Sequence, residues 1–149
     1  MKNFTKQDVI KIAKEVDKAL KTNDKIKFNF DKYWSSNFEK EAGVYAIFDR
    51  DKLVYIGQTA NLKERMKEVK RTYNHSFRRK LGRELHPELT KNPKGKFSDK
   101  IENELDAYFL KNISFTFKVI HFGRLEIESY LIHSNDELLN SKGKRDKIK

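Results

Sequence analysis

The chain has 149 residues and a mass of 17.7 kDa, enough for one domain around one core. Its 33 Lys and Arg against 22 Asp and Glu leave a net charge of +11, yet 37% of the residues are hydrophobic and 12% aromatic, which excludes a disordered polycation. The absence of cysteine excludes disulfides, thiolate metal sites, iron–sulfur clusters and a Cys nucleophile. No run approaches the ~18 apolar residues of a membrane span, and the N-terminal residues lack the apolar stretch of a signal peptide. A soluble cytoplasmic protein with a polyanionic partner and no membrane is expected.

Thr5 to Leu20 reads as a helix: Thr5 and Asp8 form a capping-box start, and Val9, Ile12, Ala13, Val16 and Leu20 recur at helical spacing. Lys25 to Phe30 alternates like a short strand, and Tyr33 to Lys40, with the only Trp, is ambiguous. Gly43 to Phe48 and Leu53 to Ile56 read as a β-hairpin across the charged turn Asp49–Lys52. Asn61 to Lys70 is the next helix, followed by a basic helix from His75 to Leu85 and a proline-bearing loop from His86 to Gly95. Ser98 to Leu110 is amphipathic, Ser114 to Ile120 is the clearest strand, Arg124 to His133 is the last helix, and Ser141 to Lys149 is a basic tail. The order implies an α+β fold, a small three-stranded antiparallel-type sheet flanked by helices.

Familiar cofactor loops are absent, and the four histidines show no metal-ligand spacing. The last helix carries more information. With Leu125 at 0° and about 100° per residue, Glu128 falls near 300°, between Leu131 near 240° and Ile132 near 340°. Glu126 falls near 100°, on the polar side. A carboxylate facing a core is either paired with a cation or binds a metal. On the helix from Asn61, Arg65 borders the stripe of Leu62, Met66 and Val69. That position suits a snorkelling side chain as well as a functional one. Glu128 and Arg65 are thus the acid and the base aimed at the sheet. Tyr45 and Tyr55 lie on the hairpin strands, where packing alone would also place them.

GVYAIFDRDKLVYIGQTANLKERMKEV resembles the opening of the GIY-YIG endonuclease domain: a GIY-like triplet, a YIG triplet, then a helix carrying Arg. LEIESYLI followed by LLN resembles that family's helix with its catalytic Glu and the later Asn. The resemblance spans about Gly43 to Asn140 and implies hydrolysis of nucleic-acid phosphodiesters with one divalent ion per site, Mg²⁺ or Mn²⁺. It carries catalytic roles onto Tyr45, Tyr55, Arg65 and Glu128, with Glu128 as the metal ligand, and supporting roles onto Gly57 and Asn140. Two departures stand out. GIY reads GVY, and Val69 occupies a position where several members carry His. His75 lies further on and is not assigned to replace it.

On this reading residues 1–149 form a single domain, with a catalytic core at 43–140, a helical insert at about 75–110, an N-terminal helical extension at 1–42 and a basic tail at 141–149. Arg71, Arg78, Arg79, Lys80 and Arg83, with Lys142, Lys144 and Arg145 of the tail, are candidate phosphate contacts, for which a solvated basic face is the plain alternative. The expected partner is nucleic acid, DNA ahead of RNA, bound by a monomer or homodimer. The competing readings are a nucleic-acid-binding module of the same fold with little turnover, and a protein-interaction domain with a basic surface.

Overall fold

The computed structural model describes residues 5–89 and 96–141. Its helices are α1 (Lys6–Thr22), α2 (Leu62–Glu68), α3 (Ser76–Leu85), α4 (Asp99–Asn112) and α5 (Arg124–Ser134). Its strands are β1 (Ile26–Lys27), β2 (Gly43–Asp49), β3 (Lys52–Thr59) and β4 (Ile113–Val119), with short 3₁₀ turns at Trp34–Asn37 and Leu139–Ser141. The sheet is antiparallel in the order β1-β4-β2-β3. The fold is the expected α+β, and the segment before Trp34 adds a fourth strand to the three expected.

Local chemistry accounts for most element ends. Thr5 and Asp8 exchange side-chain-to-backbone hydrogen bonds of 2.9 and 3.1 Å, a complete capping box. The hairpin closes at Asp49 opposite Lys52, leaving Arg50 and Asp51 as its loop. Arg50 takes the left-handed conformation (φ 59°) that such short loops demand, and its N–H is secured to the Asn112 carbonyl at 2.7 Å. β1 is short because the chain soon turns on its own side chains: Asp31 N–H donates to Asn29 Oδ1 and Tyr33 N–H to Asp31 Oδ1. Trp34 Nε1–H then donates to the Lys27 carbonyl, seating the indole under the strand.

β2 is buried along most of its length because helices cover both of its faces. Tyr45 and Ile47 point into a core with Phe28, Trp34, Phe38, Phe77, Phe109 and Phe115, roofed by α2, α3 and α4. Val44, Ala46 and Phe48 point the other way, against Ala13, Val16 and Leu20 of α1 and Ile127, Leu131 and Ile132 of α5. No helix among the described residues is long and apolar enough to cross a membrane.

One basic residue is not where the charge pattern puts it. Arg78, expected among the phosphate contacts, is 1% exposed. Its Nη2 donates to Glu102 at 2.9 Å and Asp106 at 2.8 Å, its Nε donates to Thr72 Oγ1 at 3.1 Å, and its guanidinium lies over the Phe109 ring. A phosphate would have to displace two carboxylates and enter the core to reach it. Arg78 is instead the rivet between α3 and α4. Arg78→Ala removes the buried cation between two partly exposed carboxylates together with its packing on Phe109, and is expected to destabilise the fold by about 2–4 kcal/mol. Urea unfolding checks the loss, and the salt dependence of nucleic-acid binding should stay unchanged.

Candidate active site

Tyr45 sits on β2 directly across from Gly57 on β3. A Cβ on Gly57 would lie 2.3 Å from Tyr45 Cζ and 2.4 Å from its Oη, so the glycine's missing side chain is the space that the phenol occupies. The glycine of the YIG triplet therefore has a packing reason. Tyr55, farther back on β3, faces the same core, its ring stacked on Tyr45 at 6.3 Å between centroids with 24° between planes. Its hydroxyl hydrogen-bonds Ser76 Oγ at 2.7 Å.

His75 holds the Tyr45 hydroxyl, with Nε2 to Oη at 2.8 Å. This histidine is the N-cap of α3, and its Nδ1 accepts the Phe77 N–H at 3.0 Å. Burial pushes its pKa well below the ordinary value, and Arg65 and Arg79 push it further, so the ring is neutral at pH 7. A neutral imidazole whose Nδ1 accepts must carry its proton on Nε2, so His75 donates to Tyr45 Oη. The phenol's own proton stays available to a ligand. Burial raises the pKa of both tyrosines above the ordinary value, and both are protonated at neutral pH. Arg65 opposes that rise in each, hydrogen-bonding Tyr45 from its side chain, while the Glu128 carboxylate reinforces it in both.

Arg65 and Glu128 therefore act on the same two phenols from different helices. Arg65 is half-buried on α2, with Nη1 donating to the Asn74 carbonyl at 3.1 Å. Glu128 is half-buried on α5 while Glu126 is exposed, as the helical wheel separates them. Leu125, the origin of that wheel, is nevertheless 63% exposed, so the buried stripe of α5 runs through Ile127, Leu131 and Ile132 only. Asn140 is buried, and its Nδ2 donates to the Ile56 carbonyl, tying the end of the described chain to β3 beside Gly57. Arg124 Nε donates to Gln58 Oε1 at 3.2 Å, pinning the start of α5 to the same strand.

Of the other expected phosphate contacts, Arg71 is exposed and Arg79, Lys80 and Arg83 are half-buried. Arg79 Nη1 donates to the Thr72 and Tyr73 carbonyls at 2.9 and 2.8 Å, and its charge is felt by both His75 and Tyr55. Lys142, Lys144 and Arg145 lie outside the described residues. The residues that the sequence reading did not assign to the site are His75 and Ser76, the partners of the two phenols. A His-Ser pair at the mouth of an amphipathic helix was the available signal.

Among the described residues no three acidic, His or Cys side chains gather as a metal cage. The site offers one carboxylate, Glu128. That fits a hard divalent ion such as Mg²⁺, which keeps several waters and binds through one or two carboxylates plus phosphate oxygens.

A family model described as the GIY-YIG catalytic domain matches residues 25–149. The chain belongs to the GIY-YIG family. Searches of curated proteins and of solved structures returned no match. A GIY-YIG catalytic domain is a nuclease domain, with nucleic acid as its substrate and a divalent metal as its usual cofactor.

The buried neutral His75 gives this GIY-YIG domain a pH signature. The unfolded chain binds a proton at His75 below about pH 6.5 and the folded chain resists it, so stability falls as pH drops through that value, at up to about 1.4 kcal/mol per unit. Between pH 7 and 5.5 the wild type should lose about 1 kcal/mol more than His75→Gln, measured by urea unfolding. Equal losses would mean that His75 titrates as an exposed histidine.

Proposed function

We propose that the protein is a divalent-metal-dependent endonuclease that hydrolyses phosphodiester bonds, with DNA as its substrate in preference to RNA. The observation that carries this reading is the meeting of Tyr45, Tyr55, Arg65 and Glu128, from β2, β3, α2 and α5, at one place in a GIY-YIG domain. The nucleophile in this reading is water rather than a ribose 2′-hydroxyl, so DNA is a competent substrate.

The residues divide the work by chemistry. Arg65 offers a planar fork of donors to the scissile phosphate, where charge builds in the transition state. Tyr45 is kept protonated by burial and is oriented by the Nε2–H of His75, so it positions the attacking water through its hydroxyl. Tyr55, fixed by Ser76, orients the phosphate from the other side of the ring stack. Gly57 leaves the space for Tyr45, and Asn140 braces β3 beneath it. Glu128 would hold the metal. When bound, a divalent ion would supply charge relief at the phosphoryl oxygens.

The rival reading, a binding module without turnover, draws on Val69, which is fully buried in the core and replaces the histidine of several relatives. His75 supplies an imidazole at Tyr45 from another direction, which favours turnover.

Nicking of supercoiled plasmid in Mg²⁺ and in EDTA tests the proposal. Glu128→Gln should lower the Mg²⁺-dependent rate about 100-fold or more, given the several kcal/mol that a metal contributes to phosphoryl transition states. Plasmid binding should stay within about twofold, and Glu126→Gln should cleave normally. Wild-type protein that binds plasmid but never nicks it would establish the binding module. Loss in Glu126→Gln with none in Glu128→Gln would reassign the carboxylate.

A further inference from the structure

Two clefts on the α2 side of the sheet share Lys70 and Arg71 as a common wall. One, of about 210 Å³, runs between Phe28, Lys32, Trp34 and Lys67; the other, of about 410 Å³, runs between Phe30, Tyr73, Asn74 and Lys96. Together they make a groove roomy enough for organic groups and not merely for an ion. Its acids are occupied. Glu102 and Asp106 face Arg78, and Asp31 caps the turn at Tyr33. Lys70 and Arg71 have no carboxylate within ion-pair distance among the described residues, so the groove presents positive charge.

The groove also presents rings. Tyr73 is 72% exposed and Phe30 38%, both on the wall of the wider cleft, and Tyr33 beside the narrower one is 68% exposed with Lys32 over its face at 5.0 Å. Exposed rings interleaved with cations are poorly matched to a duplex, whose bases are stacked on one another. They match an unpaired strand, whose phosphates meet the cations while its bases stack on the rings. The groove also leads to the candidate site. The segment Arg71 to Asn74 that forms its wall is held by Arg65 at the Asn74 carbonyl and Arg79 at the Thr72 and Tyr73 carbonyls.

We propose that the groove walled by Lys70, Arg71 and Tyr73 binds a single-stranded segment of nucleic acid and feeds it toward Arg65. The substrate class is then a nucleic acid with an unpaired arm or gap, a refinement that rests on the nuclease reading only for its link to cleavage. Base stacking on Tyr73 and phosphate contacts with Lys70 and Arg71 supply the affinity, with a salt slope of about −0.7 for each phosphate engaged.

Fluorescence anisotropy in EDTA, with oligo-dT, oligo-rU and a blunt duplex as probes, tests the groove without any turnover, so its result stands apart from the plasmid assay. Tyr73→Ala should weaken oligo-dT binding about 5- to 100-fold and Tyr73→Phe should restore it, while duplex affinity stays within about twofold. The double variant Lys70→Ala, Arg71→Ala should flatten the single-strand salt slope by about one unit or more. Oligo-rU bound as tightly as oligo-dT supports the same groove and widens its substrate to RNA. Unchanged oligo-dT affinity in Tyr73→Ala, an equal loss on the duplex, or displacement of oligo-dT by poly-glutamate would overturn the proposal.

Discussion

A tyrosine hydroxyl buried inside a sheet needs a hydrogen-bonding partner, and in this protein the need is met by His75. The contact depends on three things at once. Gly57 must lack a side chain so that the Tyr45 ring can lie across β3. α3 must begin at Ser76 so that His75 occupies the cap position. The Phe77 N–H must engage Nδ1 so that the proton is left on Nε2. The first condition belongs to β3 and the other two to the start of α3, and together they fix the position and the proton inventory of Tyr45 before any ligand arrives.

The sheet sets the rest of the geometry. Helices α2 and α3 cover the face that carries both phenols, whereas α5 packs in the core of the opposite face. β3 is the edge strand, so α5 can bring Glu128 to the same phenols that Arg65 reaches from α2. Asn140 and Arg124 hold the flanks of α5 to β3. Arg65 lowers and Glu128 raises the pKa of both phenols, so a cationic and an anionic influence meet on two uncharged hydroxyls.

What the sequence disclosed was local or periodic. The Thr5–Asp8 capping box, the hairpin, Arg65 at the edge of its stripe and the separation of Glu128 from Glu126 all follow from neighbours within a few turns. What it concealed was long-range. Arg78 reads as one more charge in a basic run because its partners, Glu102 and Asp106, lie 24 and 28 residues later, on α4. His75 reads as a scattered histidine because its target lies three elements earlier, on β2. Leu125 falls beside the apolar sector of the wheel yet is exposed, and β1 is too short for alternation to mark its pairing with β4.

The tautomer of His75 is the most direct gauge of this account, since it depends on Gly57, on the α3 cap and on Tyr45 together. Long-range ¹H–¹⁵N correlation spectra of the imidazole report which nitrogen carries the proton and whether the ring is charged. The account predicts a neutral ring with the proton on Nε2 and a bare Nδ1, persisting as the pH is lowered to about 5.5, below the usual histidine pKa of about 6.5. A proton on Nδ1, or a ring that charges near its ordinary pKa, would contradict it.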